Sequence, residues 1–239
     1  MKKVFKNLIL LVLVVVISMG VYMTGKGYIL YRTATSPIGI EDKIKKIRND
    51  KDYVKYEDIS KDFLDAIVSV EDHRFYEHNG IDIISIGRAL ISNIEAGKIV
   101  MGGSTITQQL AKNLFFTHEQ KIERKIAEVF VVNRLEKEYT KEEILELYAN
   151  VIYYGDGYYG IKQASEGYFE KEPNELTLSQ GILLAGLPQA PEMDSLSKNY
   201  DEAMKRSEIV LASMIRNDVI SGKEIEIMKN EYMCRAKEN

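Results

Sequence analysis

The first strong feature of the chain is an apolar run near its N-terminus. Residues 7–25 include no charged side chain, and most of them are Leu, Ile, Val or Met. About 20 such residues are enough to cross a bilayer as a helix. Lys2, Lys3 and Lys6 precede the run, and the positive-inside tendency places that end in the cytoplasm. We expect an uncleaved, single-pass anchor. A cleaved signal peptide is the alternative, although no clear small-x-small cleavage site is present.

Beyond this run, apolar residues recur at steps of three and four, which is the spacing of one face of a helix. Thr140, with Glu143 three residues later, forms a capping box that predicts the start of one helix. Strand-like alternation is scarce, so the pattern predicts a mainly α-helical domain. The ranges with helical spacing are 60–77, 82–96, 104–115, 119–138, 140–150, 158–169, 177–186 and 201–216.

Composition agrees with an anchored globular domain. The chain has 239 residues, of which 45% are hydrophobic and 28% charged, so wholesale disorder is not expected. The net charge of −4 does not favour a nucleic-acid partner. The single cysteine, Cys234, excludes an intramolecular disulfide and a cysteine-based zinc site. We predict a cytoplasmic N-terminus (1–6), an anchor (7–25), an extended and partly helical stem (26–57), a globular domain (58–220) and a C-terminal tail (221–239).

The stretch Glu-Asp-His-Arg-Phe-Tyr-Glu-His-Asn-Gly at 71–80 is the first candidate for chemistry. On a continuous helix, Phe63, Ile67, Glu71 and Phe75 would share one face, so Glu71 interrupts an apolar stripe. Burial disfavours the charged form of a carboxylate and raises its pKa, which suits a general base or acid. The alternative is a structural glutamate that pairs with an arginine or caps a neighbouring helix.

The second candidate is Gly-Gly-Ser-Thr-Ile-Thr-Gln-Gln-Leu-Ala-Lys-Asn at 102–113. Glycines let the backbone approach a ligand closely, and Ser104 and Thr105 lie where a helix opens. Free N–H groups at a helix start suit a phosphate or a sugar. The alternative is that Ser104 is only an N-cap and the glutamines form a solvated face.

The third candidate is Arg-Lys-Ile-Ala-Glu at 124–128. Arg124 and Glu128 are four residues apart, so an ordinary helix-surface ion pair explains them. The functional interpretation is a basic pair, with Lys125, and a carboxylate that together suit a pyrophosphate leaving group, directly or through a divalent metal.

These stretches, in this order and spacing, resemble the peptidoglycan glycosyltransferases of glycosyltransferase family 51. The pattern Glu-Asp-x-x-Phe-x-x-His-x-Gly is matched at 71–80, Gly-x-Ser-Thr-Ile-Thr-Gln-Gln-x-x-Lys-Asn at 102–113, and Arg-Lys-x-x-Glu at 124–128. Two closing motifs match at 142–161 and 176–191, followed by Arg206, and the resemblance covers about residues 50–215. It implies a lysozyme-like helical fold with a head lobe and a smaller jaw lobe. The jaw is expected within 85–125, and the isoleucine-rich helix 82–96 is expected either to dip into lipid or to pack in the core.

The resemblance also implies an activity and a set of site residues. The substrate would be lipid II, which is polymerised into β-1,4 glycan with inversion. Glu71 would be the general base. Glu128 would be the second catalytic carboxylate, which either holds a divalent metal (Mg or Mn) or orients the cations Lys112, Arg124 and Lys125. No organic cofactor is expected. The substrate-binding residues implied are Asp72, Phe75, His78, Gly103, Ser104, Thr105, Gln108, Gln109, Lys112, Asn113, Arg124 and Lys125.

The implied partners are lipid II, the growing glycan strand, the membrane and other cell-wall synthesis proteins, with the catalytic domain on the extracytoplasmic face. Because no transpeptidase-like segment follows, we expect a monofunctional enzyme. The sequence departs from the family pattern at Gln120, Ala149 and Glu170, which affects fine substrate contacts. Two rival functions remain: a glycan hydrolase on a lysozyme-like scaffold, and a catalytically silent, membrane-anchored scaffold protein.

Overall fold

The computed structural model describes residues 2–98, 102–117, 121–191, 196–223 and 225. Gln120 lies outside these residues. The described part contains no strand, only one isolated bridge between Tyr153 and Tyr159, so the prediction of a mainly α-helical fold is confirmed. The helices are α1 (Lys2–Thr35), α2 (Ile40–Arg48), α3 (Lys61–Glu71), α4 (Ile83–Ala96), α5 (Ile106–Phe115), α6 (Ile122–Glu138), α7 (Lys141–Val151), α8 (Ile161–Phe169), α9 (Leu178–Gly186) and α10 (Tyr200–Arg216). Three 3₁₀ turns lie at Tyr56–Asp58, Pro173–Glu175 and Leu187–Gln189.

Two groups of helices build the core. In the first, α9 packs on α3 and α10, which also pack on each other. Every residue of α9 from Ser179 to Gly186 is buried, and Gly181 lets it approach α3 so closely that an added Cβ would lie 3.0 Å from the Phe63 backbone nitrogen. In the second group, α5 packs on α6 and α7. The candidate site lies where the two groups meet.

The predicted helix over 60–77 is too long. α3 ends at Glu71, and the backbone leaves the helical region at Asp72 (φ −160°, ψ 69°). The Asp72 carboxylate accepts hydrogen bonds from the backbone N–H of Ile106 (3.0 Å) and from the His78 ring (2.9 Å), so long-range contacts turn the chain here. Phe75 is fully buried, but it does not share a helix with Phe63.

The apolar N-terminal run lies within a longer helix than predicted. Residues Lys3–Thr35 form one helix that is long and apolar enough to cross a membrane. Within the predicted stem, 26–57, the first ten residues belong to α1 and α2 follows, so the partly helical character is more extensive than the sequence indicated. The segment is also attached to the domain: Arg48 pairs with Glu143 of α7 (2.8 Å), and the Val54 N–H donates to the Asn150 side chain (2.8 Å).

α4 carries an exposed apolar face. Ile83 and Ile94 are 78% and 71% exposed, and Ala89 is the buried residue of this helix. Of the two interpretations left open by the sequence, ordinary core packing is therefore wrong for these isoleucines. Isolated exposed apolar residues are common, but a contiguous face of them marks an interaction surface.

Candidate active site

A cleft of about 510 Å³ lies between the two helix groups. α3 contributes Glu71 at its last residue, and α10 contributes Arg206. Of the predicted site residues, those that line this cleft are Glu71, Ser104, Gln108, Gln109, Lys112, Arg124, Lys125 and Glu128. The three motifs, which are separated by tens of residues in the chain, therefore meet at one place.

Glu71 lies in a largely buried position at the wall of the cleft, with its side chain 13% exposed. Burial raises the pKa of Glu71 above its ordinary value, while the Gln109 hydrogen bond and the charges of Arg206 and Lys112 oppose the rise. The Gln109 side-chain nitrogen donates to Glu71 Oε2 (2.7 Å), and the Tyr148 hydroxyl donates to Gln109 Oε1 (3.1 Å). Tyr148 of α7 thereby fixes the Gln109 side chain, and Gln109 in turn holds the Glu71 carboxylate in one orientation.

Arg206 follows the closing motifs but is not among the predicted site residues, and the structure places it in the cleft. Its Nη2 atom lies 3.7 Å from Glu71 Oε1, and its Nε donates to the Gly186 carbonyl (3.3 Å). A signal was present, because Arg206 lies three residues after the buried Ala203 and four before the buried Val210, and so shares their face of α10. Glu71 therefore pairs with an arginine, as the structural interpretation predicted, and it also lies in the cleft.

Replacing Arg206 by methionine should shift the pH dependence of any reaction that uses ionised Glu71. Arg206 lowers the pKa of Glu71, so its loss raises that pKa, and the acidic limb of kcat/KM moves to higher pH. Methionine keeps the aliphatic packing against Gly186. The profile is measured against Lys205→Met, which removes an exposed cation that pairs with Glu202 and should leave the limb in place. An unmoved limb in Arg206→Met contradicts the assigned coupling.

Three cations face Glu71 across the cleft. Lys112 is on α5, and burial lowers its pKa below the usual value, with Arg124 and Lys125 adding to the effect. Arg124 and Lys125 both pair with Glu128, a carboxylate that is 1% exposed, and the Lys125 Nζ lies 3.3 Å from Glu128 Oε2. The predicted helix-surface ion pair therefore exists, but it lies in the wall of the cleft. Three positive groups around one carboxylate leave a positive field that suits an anion.

The start of α5 is fixed by its own residues. The Thr105 side chain accepts from the Gln108 N–H, and Gln108 Oε1 accepts from the Thr105 N–H, so the N-cap is Thr105 rather than Ser104. The Thr105 hydroxyl also donates to the Gly80 carbonyl (2.7 Å). Ser104 instead accepts from Lys125 Nζ (2.7 Å), which ties the glycine-rich segment to α6.

Comparison with known proteins decides the family. The transglycosylase family model matches residues 41–215. This chain belongs to the transglycosylase family.

Three relatives show how this transglycosylase chain compares with other members. Penicillin-binding protein 1F of Bacillus subtilis is 47% identical over 171 residues, which are 72% of this chain and 24% of that protein. Penicillin-binding protein 1A of Aquifex aeolicus is 43% identical over 187 residues, which are 78% of this chain and 26% of that protein. A Cupriavidus necator protein named provisionally as a transglycosylase is 40% identical over 185 residues, which are 77% of this chain and 80% of that protein. The chain thus spans about a quarter of the two penicillin-binding proteins.

The remaining predicted residues lie around the transglycosylase cleft rather than in it. Asp72, Gly103 and Thr105 line a smaller adjoining cavity of about 170 Å³. Phe75 and His78 are buried and line neither cavity, while Asn113 is exposed and also lines neither. Phe75 and His78 therefore pack behind the site, and their contact with substrate stays a prediction.

The expected divalent metal does not fit the donor set at Glu128. Divalent magnesium takes several oxygen ligands, whereas this carboxylate is buried and already bound by Arg124 and Lys125. Among the described residues, donor atoms of Asp72, His78 and Asp82 do lie within 4.8 Å of one another. These acids are already engaged, Asp72 by His78 and Ile106 and Asp82 by the N–H groups that start α4. Neither set of donors among the described residues is therefore open to a metal ion.

Proposed function

We propose that this transglycosylase is a membrane-anchored peptidoglycan glycosyltransferase. It polymerises lipid II into β-1,4 glycan with inversion and releases undecaprenyl pyrophosphate. The observation that carries the proposal is the placement of one largely buried carboxylate, Glu71, across a cleft from Lys112, Arg124 and Lys125. An inverting displacement needs a base on the attacking side and charge stabilisation on the leaving side, and this cleft offers both.

On the attacking side, Glu71 removes the proton from the 4-hydroxyl of the acceptor's N-acetylglucosamine. The hydroxyl oxygen forms a bond to the anomeric carbon of the N-acetylmuramic acid at the end of the growing strand. Gln109 holds the carboxylate in orientation through its 2.7 Å hydrogen bond, and Arg206 opposes the rise in the pKa of Glu71. Both groups stabilise the charged form of the carboxylate, which a base needs, against the effect of burial.

On the leaving side, the bond between the anomeric carbon and the pyrophosphate oxygen breaks, and the electron pair goes to the pyrophosphate. Lys112, Arg124 and Lys125 neutralise the charge that develops there. Glu128 orients Arg124 and Lys125 because it pairs with both. In this scheme, preorganised cations do the work expected of a divalent metal.

The apolar surfaces support the membrane part of the proposal. α1 is long enough to span a bilayer, and the lysines in its first turns, ahead of the apolar run, favour a cytoplasmic N-terminus and an extracytoplasmic domain. The exposed isoleucines of α4 suit a helix that lies in the lipid interface. Tethering confines the enzyme and its lipid-linked substrates to one surface. The growing strand and other cell-wall synthesis proteins are the partners that fit this location.

Incubation of the full-length protein with purified lipid II tests the proposal. We expect polymeric glycan strands and free undecaprenyl pyrophosphate, resolved by gel and by mass spectrometry. Shortening of added glycan strands without polymerisation would indicate a hydrolase instead. A folded protein that binds lipid II but forms no product would indicate a silent scaffold.

A further inference from the structure

The membrane-spanning helix α1 continues beyond the apolar run, and its last turns pack on α6. Gly27 is the only buried residue among residues 3–35. A Cβ added at Gly27 would lie 2.4 Å from Ile126 Cγ2. Only glycine at position 27 therefore allows the two helices to approach this closely. Small residues at such positions are typical of tightly packed helix pairs in membranes.

Polar and aromatic contacts flank this glycine. Lys26 Nζ lies 3.0 Å from Glu123 Oε1. The rings of Tyr28 and Tyr31 lie 5.3 Å and 5.5 Å from the Phe130 ring, centroid to centroid. We call this set of contacts between residues 26–31 and 123–130 the α1–α6 interface. It fixes the helices along more than one turn, which a flexible tether would not do.

The same helix carries the cations of the cleft. At 3.6 residues per turn, Glu123, Ile126 and Phe130 lie on a face of α6 roughly opposite to the one that carries Arg124, Lys125 and Glu128. A helix is stiff over this length, so any tilt or shift of α6 relative to α1 also moves the cation cluster. The position of the cations is thereby coupled to the membrane-spanning helix.

The level of the contact in the membrane is set by the sequence. The charge-free run ends at Gly25, so Lys26 marks the point where α1 leaves the apolar layer. Lys26 contacts Glu123, and Arg124 is the next residue. The cation cluster therefore begins next to the point where the charge-free run of α1 ends. This is the level at which a lipid anchored by a polyprenyl chain presents its pyrophosphate.

We propose that the α1–α6 interface is a positioning element that holds Arg124 and Lys125 at the height and orientation of a membrane-bound pyrophosphate. The inference rests on the proposed glycosyltransferase function. Under this proposal the anchor does more than confine the enzyme to a surface. It also fixes the height and orientation of the cleft relative to the layer of lipid headgroups.

Two glycines of one helix give a matched test. Gly27→Leu forces α1 away from Ile126, whereas a Cβ at Gly25 meets nothing within 4 Å, so Gly25→Leu leaves the interface intact. Each full-length variant is assayed on lipid II in vesicles and on a water-soluble analogue with a short lipid chain. Misplacement by about 1 Å can lower a rate on the order of a hundredfold. We expect Gly27→Leu to lose about tenfold on vesicles, to keep the parent's rate on the soluble analogue, and Gly25→Leu to match the parent on both.

Tyr31→Ala decides the question if Gly27→Leu does not fold, because it removes the ring contacts of Tyr31 with Phe130 and Tyr28 and leaves Gly27 unchanged. A fall in the ratio of vesicle rate to soluble-analogue rate for either interface variant supports the proposal. Equal ratios in the parent, in Tyr31→Ala and in a folded Gly27→Leu overturn it while leaving the glycosyltransferase function intact. Absence of product from the parent on both substrates overturns the proposed function itself.

Discussion

Glu71→Gln should lower the rate of glycan polymerisation on the order of a hundredfold to ten-thousandfold, which is the contribution of a positioned general base. Glutamine keeps the size of the side chain and can still bond to Gln109, but it cannot accept the proton of the acceptor hydroxyl. The measurement is the initial rate of strand formation from lipid II at saturating substrate.

The stability of this variant separates catalysis from folding. Burial already disfavours the charged form of Glu71, so a neutral side chain should not lower the free energy of unfolding. The matched control is Glu77→Gln, at an exposed carboxylate that pairs with Arg74 on the same segment and should polymerise at the parent's rate. A folded Glu71→Gln variant that polymerises as fast as the parent would remove Glu71 from the role of base.

Asp72→Ala should lower the free energy of unfolding by about 3 kcal/mol, because it leaves two buried donors without an acceptor at a cost of about 1–3 kcal/mol each. One donor is the Ile106 N–H at the start of α5. The other is His78: its Nδ1 accepts from the Gly80 N–H (3.1 Å), so in the neutral ring Nε2 carries the proton that it donates to Asp72. Chemical denaturation of the detergent-solubilised protein measures the change.

Two further variants sharpen this prediction. Asp72→Asn keeps one oxygen that can accept from both donors, so its loss of stability should be clearly smaller. Asp58→Ala makes the same truncation at an exposed aspartate and should change the stability by no more than about 0.5 kcal/mol. If Asp72→Ala unfolds like the parent but fails to polymerise glycan, Asp72 acts on the substrate and not on the fold.

The contrast between Glu71 and Asp72 shows how adjacent acids take different roles. Glu71 is the last residue of α3 and faces the cleft, where Arg206 and Gln109 contact it. Asp72 is the first residue outside the helix and turns inward to the start of α5. The paired motif thus supplies one carboxylate that faces the cleft and one that joins the two helix groups.

Local patterns in the sequence determined the helices, the apolar run and the three motifs. Spacing of apolar residues located α4 to α10 to within a few residues at most ends, and the Thr140 capping box is present as predicted. These features depend on hydrogen bonds and side chains within one or two turns, so the sequence alone contains them.

Tertiary structure decided which side chains meet. The end of α3 at Glu71, the contact of Arg206 with that carboxylate, and the inward orientation of His78 all depend on partners on other elements. The docking of α1 on α6 through Gly27 was likewise absent from the periodicity, which gave only an apolar helix followed by a stem. Periodicity says which face of a helix is apolar, whereas the partner of that face is chosen by packing between residues far apart in the chain.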